Sequence, residues 1–231
     1  MDKKSSKEIL ATYFLVFILI FVLVLSVINF VNTKQKSYLK FEPVNDGDWI
    51  KGDKKAKVII VEYSDFQCPA CANYYSLVRQ LLEDYDLNAD LAFVYRHFPL
   101  PFHKYAKLAA RAAEAAGKQN KFWEMHNLLF ERQKEWSLAN NINVENVFKK
   151  YAQELQLDVN KFMFDLNSAE IMQKVDQAYM KALANNIQQT PTFFVNGKVI
   201  NNPPNYNAFR KIILTELKAN SSNIDKSLNS K

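Results

Sequence analysis

The chain has 231 residues, 48% of them hydrophobic and 13% aromatic, with a net charge of +6 and only two cysteines. That is enough apolar material for one sizeable core, or for one core plus a membrane segment. The basic excess reads as a Lys-rich solvated surface, and no basic stripe is interleaved with aromatics, which argues against nucleic acid as a partner.

From Ile9 to Val31 the sequence "ILATYFLVFILIFVLVLSVINFV" carries no charge over 23 residues. As a helix it would span roughly 35 Å, enough for the hydrocarbon core of a bilayer. A cleaved secretory signal has a shorter apolar region of about 7–15 residues and ends in a small-residue site; neither feature is present. Residues 9–31 are therefore expected to be a single transmembrane anchor that follows a short cytoplasmic tail, residues 1–8. Orientation is weakly marked, because Lys3, Lys4 and Lys7 before the helix are matched by Lys34, Lys36 and Lys40 after it.

Residues 32–56 are polar and hold two of the four glycines, as a spacer between anchor and domain would. "KVIIVEY" (57–63) is then a β-branched, nearly continuous apolar run, the mark of a buried strand. After it Cys71, Tyr75, Val78 and Leu82 recur at helical spacing, and "LAFVYRHF" (91–98) reads as a second strand that closes a βαβ unit.

From 103 to 187 the pattern is helical. It includes an alanine-rich segment ending near Gly117, "KFWEMHNLLFERQ", "VENVFKKYAQELQL", and a helix marked by Met172, Val175, Tyr179 and Leu183. "TFFV" and "KVI" then flank Asn196-Gly197, the dipeptide best suited to a type I′ hairpin. Tyr206, Phe209, Ile213 and Leu217 mark a last helix, and residues 220–231 read as a flexible tail. The expected fold is α/β: a thioredoxin framework from 57–102 and 188–219, with a helical domain, 103–187, inserted in its middle.

Cys68 and Cys71 are the whole cysteine content. A structural disulfide at this spacing closes a very short loop, where loop-closure stabilisation is smallest. A zinc site needs four ligands, yet the remaining candidates are His97, His103 and His126. A redox-active dithiol is the preferred reading, and no metal is expected. Cys68 follows a strand, and Pro69 suits the first turn of a helix, so Cys68 is placed at a helix N-terminus. Free N–H groups and the helix dipole there favour a thiolate, which makes Cys68 the nucleophile. Cys71, one turn further in, is the resolving thiol.

"VEYSDFQCPAC", "YRHFPLPFH" and "TPTFFVNGK" resemble, in this order, the DsbA-like thiol-disulfide oxidoreductases of the thioredoxin superfamily, membrane-anchored forms included. The resemblance runs from about residue 46 to 218. It implies dithiol exchange with exported proteins, and it places a cis proline at Pro191 that turns the backbone of Thr190 toward Cys68, where an extended substrate strand can pair. It also matches Glu62 to a buried acid beneath the dithiol, able to accept the proton of Cys71; a carboxylate on the solvent side of an edge strand is the alternative. Pro69 and Ala70 stand between the cysteines, where the strongest oxidants of the family have a histidine. The expected potential therefore lies between about −120 mV and about −270 mV. Phe66, Gln67, Pro69 and Ala70 are candidate substrate contacts, while the three histidines read as structural groups.

The expected activity is that of an extracytoplasmic dithiol oxidase with no cofactor, held at the cell membrane by residues 9–31. Its substrates would be reduced exported proteins, and a membrane quinone-linked oxidoreductase would reoxidise it. An oxidant with no spare thiol cannot trap itself, which suits this role. A reductase with the same residues, an isomerase, and a non-enzymatic envelope binding module remain the alternatives.

Overall fold

The structure is a computed structural model that describes residues 13–24, 26, 39–84, 86–138 and 143–228. It divides into two units, residues 1–38 and 39–231. In the first, residues 13–24 form helix α1 with its apolar side chains exposed. Among the described residues no helix is long and apolar enough to cross a membrane; the remainder of the expected anchor, apart from residue 26, lies outside them, as does the tail at 1–8.

The second unit is built on a five-stranded sheet in the order β1-β3-β2-β4-β5. Its strands are β1 (Trp49–Lys51), β2 (Val58–Ser64), β3 (Leu91–His97), β4 (Thr192–Val195) and β5 (Lys198–Ile200). β2 and β3 run parallel, joined by helix α2 (Pro69–Glu83), and the remaining neighbours are antiparallel. β2 is central and covered on both faces, which is why its sequence shows a continuous apolar run rather than an alternation. Val58 and Ile60 join the larger core with α2 and with Phe209 and Ile213 of α9 (Tyr206–Leu228). Val61 and Tyr63 face a smaller core that includes Ala182 and Ile187.

Between β3 and β4 the described residues form six helices: α3 (Ala106–Gly117), α4 (Phe122–Glu131), α5 (Gln133–Ser137), α6 (Val144–Glu154), α7 (Val159–Leu166) and α8 (Ala169–Ala184). The sequence pattern shows four of them. α5 and α7, of 5 and 8 residues, are too short to display a helical period over a useful window. Side-chain caps start α6, α7 and α8, at Asn143, Asp158 and Ser168. The hairpin between β4 and β5 turns on Asn196 (φ 48°) and Gly197 (φ 78°), the left-handed pair that a type I′ turn needs.

From Leu39 onward the segment expected to be a spacer packs on the sheet. Leu39, Phe41 and Val44 cover the smaller core, β1 pairs with β3, and the Arg96 guanidinium binds the carbonyls of Glu42 and Pro43. Three residues of β1 are too few to stand out within a polar stretch. At the other end α9 stays helical through Leu228, beyond the residue at which the tail was expected to begin.

Candidate active site

β2 and α2 meet at the dithiol. Cys68 is the N-cap residue of α2, in extended conformation, and Pro69 occupies the first turn, where its missing N–H is no loss. The turn before it is closed by the Cys68 N–H, which donates to the Asp65 carbonyl at 3.0 Å. Both cysteines are free thiols here; Cys68 keeps 7% of its surface and Cys71 none. Pro69 and Ala70 are exposed between them.

The two sulfurs differ sharply in acidity. A hydrogen bond from the Cys71 thiol is the largest influence on Cys68. Against the cost of burial, and helped by Thr190 and by the backbone N–H groups of Cys71 and Ala70, it brings Cys68 down to about 5. The helix terminus therefore contributes, as the sequence suggests, but the partner thiol contributes more. Cys71 is pushed well above the ordinary thiol range by burial, by its bond to Cys68 and by the nearby charge of Glu62.

Glu62 lies on the central strand, not on an edge, and is buried. Burial raises its carboxyl to about 8, opposed by a hydrogen bond from Ser64 and assisted by the charge on Cys68. Ser64 Oγ donates to Glu62 Oε1 at 2.6 Å, and the same hydroxyl acts on Cys71, working against the rise in its pKa. A serine thus stands between resolving thiol and acid. Sequence reasoning passed over it, although Glu62 and Ser64 are two apart on one strand and so share a face.

The loop before β4 faces the dithiol from across the sheet end. The Thr190-Pro191 peptide is cis, and the Cys68 sulfur lies 3.6 Å from the Thr190 carbonyl oxygen. The Thr190 hydroxyl is buried with no hydrogen-bond partner among the described residues, which leaves it available to a Cys68 thiolate.

Phe66 does not present the substrate surface expected of it. It is 1% exposed and packs against Tyr95, Phe130 and His126, because the turn folds it back into the larger core. Gln67 is half-buried and engaged within the protein: its N–H donates to Asp65, its Oε1 accepts from the Tyr105 N–H, and its Nε2 donates to the Ser137 carbonyl. Asp65 also binds His103 Nδ1 at 2.7 Å and the Leu100 N–H at 2.8 Å. His126 is enclosed by aromatic rings, and burial lowers it to about 3, so it stays neutral. His97 pairs with Glu114 at 3.0 Å. Among the described residues no group of His, Cys, Asp and Glu side chains is arranged to hold a metal ion.

Residues 44–214 match the thioredoxin family model. Oxidised BdbD from Bacillus subtilis superposes with a TM-score of 0.68 at 28% identity, over 78% of this chain and 98% of that one. Alpha-DsbA1 from Wolbachia pipientis gives 0.69 at 20% identity, over 79% and 96%, a likeness of fold alone. A curated relative, the Na(+)/H(+) antiporter NhaA 3 of Salinispora tropica, is 39% identical over 175 residues, 74% of this chain. The chain spans about a quarter of that relative's length (25%), and its name describes the whole of that longer protein. A match over 44–214, together with a central strand that leads into a helix capped by the first of two paired cysteines, shows that this chain belongs to the thioredoxin family.

Proposed function

We propose that the chain is a protein thiol-disulfide oxidoreductase that uses Cys68 and Cys71 as its redox pair. The observation that carries this reading is the opposite acidity of two adjoining sulfurs, the acidic one with a little of its surface still open and the other fully sealed. A thiolate with a low pKa is both a poised nucleophile and a good leaving group.

In the oxidising direction, a substrate thiolate attacks the Cys68 sulfur of the Cys68-Cys71 disulfide. The bond between the two cysteines breaks, a mixed disulfide forms, and Cys71 leaves as a thiolate. Because Cys71 is a weak acid in its buried setting, it takes up a proton, and the Glu62 carboxyl, still largely protonated near neutrality, supplies it through Ser64. A second substrate thiolate then attacks the substrate sulfur of the mixed disulfide and expels the Cys68 thiolate, which needs no proton. Two electrons pass from the substrate dithiol to the pair. The backbone of Thr190 and Pro191, beside the Cys68 sulfur, is where an extended substrate segment would pair.

Exported proteins as substrates, an extracytoplasmic position, tethering through residues 9–31 and reoxidation by a quinone-linked membrane partner complete the reading. It is supported by the uncharged 23-residue run and by the likeness to BdbD. The test is thiol trapping in intact cells combined with protease access to the domain. A mostly oxidised pair on the outer side is expected; a reduced pair, with a measured potential below about −270 mV, would make the protein a reductase.

A further inference from the structure

The inserted helices reach the dithiol through two glutamine side chains. Gln133, the first residue of α5, is buried, and its Nε2 donates to the carbonyl oxygens of Phe66 at 2.7 Å and of Cys68 at 3.0 Å. Both partners only accept, so the atom that meets them is the amide nitrogen, with both its hydrogens engaged. Gln67 lies between those two carbonyls in sequence and sends its amide to the Tyr105 N–H at 2.6 Å and the Ser137 carbonyl at 3.1 Å. Residues 66–68 are thus tied to the start of α3 and to both ends of α5.

None of the groups that exchange bonds or protons belongs to these helices. Cys68 and Cys71 come from the entry to α2, Glu62 and Ser64 from β2, and Thr190 from the loop before β4. Yet the amide of Gln133 meets the carbonyl of Cys68 itself. A carbonyl oxygen is the negative end of a peptide dipole and disfavours a nearby anion unless a donor draws that charge away. Ala72 N–H also donates to this oxygen, at 3.2 Å, whereas the Phe66 carbonyl is held from the insertion.

We propose that Gln133 is a positioning residue for the redox pair: through its amide the helical insertion holds the backbone of residues 66–68 in the shape that presents the Cys68 sulfur for exchange. The proposal rests on the oxidoreductase reading and deepens it, for it makes the insertion part of the device that sets the reactivity of Cys68.

The test replaces Gln133 by Met in the full chain, which keeps the length and the apolar body of the side chain and removes both donors. The titration of Cys68 is followed by the ultraviolet absorbance of its thiolate, and the potential by equilibration with glutathione. The titration midpoint should rise by about one pH unit, a tenfold loss of thiolate at fixed pH below the midpoint, and the disulfide should become less oxidising. A variant that loses thermal stability but titrates as the wild type would show that Gln133 only fills space and would overturn the proposal. Should Gln133→Met not fold, Gln133→Asn, which keeps the amide on a shorter stem, should shift the midpoint the same way; an unmoved midpoint would again overturn it. Insulin reduction by the wild-type protein separates the two ideas. Its absence defeats the oxidoreductase reading, whereas an active wild type with unmoved variants defeats the role of Gln133 alone.

Discussion

Two buried carboxyl groups, Glu62 and Glu114, have opposite fates in this molecule. Glu114, on α3, accepts from Trp49 Nε1 at 2.8 Å and Lys174 Nζ at 2.6 Å, and pairs with His97 Nε2 at 3.0 Å. It thereby ties β1, β3 and α8 together. Burial opposes its ionisation, but those partners prevail and hold its carboxyl down at about 2. Beside it Arg96 binds Asp48 through two nitrogens, at 2.8 and 2.9 Å, and the Tyr63 hydroxyl at 2.9 Å. Glu62 is equally buried, but a serine hydroxyl is its hydrogen-bond partner and the charge on Cys68 adds to the cost of ionising, so burial prevails and pushes it to about 8. A buried acid surrounded by cationic donors is a structural anchor; one left beside an anion becomes a proton donor in the physiological range.

The comparison can be broken in several ways. Replacing Cys68 by Ser should abolish insulin reduction and peptide oxidation altogether while leaving the thermal transition nearly unchanged, since the side chain keeps its size. Residual exchange would place the chemistry elsewhere. Replacing Glu62 by Gln should slow turnover by about a hundredfold near neutrality, the usual scale for losing a positioned proton donor, and the loss should be seen in single-turnover formation of the mixed disulfide. Glu114→Ala should do the reverse. Its removal strands the buried ends of Trp49 and His97 and unpairs Lys174, costing about 3 kcal/mol in urea unfolding, yet the Cys68 titration should not move.

The two acids should also give opposite slopes of stability against pH. The folded value of Glu62 is raised above its ordinary 4.5, so its contribution is fully present below about pH 4.5 and is lost as the pH climbs to about 8. Glu114 is depressed, so its contribution is present above about pH 4.5 and is lost as the pH falls toward about 2. Between about pH 4.5 and 8 the Glu62 contribution falls with rising pH while that of the depressed Cys68 thiol grows, so the urea midpoint of the reduced Glu62→Gln protein should rise more steeply with pH than that of the wild type, whereas Glu114→Ala should flatten the acid side. A slope unaltered between about pH 4.5 and 8 in Glu62→Gln would mean that this carboxyl ionises normally. The smallest effect is expected from Thr190→Val, which removes the hydroxyl near the thiolate and should raise the Cys68 midpoint by about half a pH unit, read from thiolate absorbance.

Much of the fold is legible in the residues themselves. "KVIIVEY" and "LAFVYRHF" become β2 and β3 almost to the residue, and Asn196-Gly197 turns the hairpin as its chemistry demands. β1, α5 and α7 were not legible, because three to eight residues give no stable period and their positions are decided by what they pack against. At the site, the placement of Cys68 before Pro69 was plain from local rules, whereas Phe66 misled. An aromatic beside a reactive cysteine reads as exposed surface until the turn is seen to bury it against Tyr95 and Phe130.

What the sequence determined by itself is the local chemistry: a lone pair of thiols one helical turn apart, a proline that starts the helix between them, and an acid set inside an apolar strand. Only the tertiary structure decided that Glu62 sits on the central strand with Ser64 between it and Cys71, that Thr190 closes over Cys68, and that Gln133 grips the turn from the inserted helices. The physical reason is that periodicity, capping and turn preference act within a few residues. Acidity and positioning depend instead on burial and on partners as distant as residue 190, brought within hydrogen-bond range only when the chain packs.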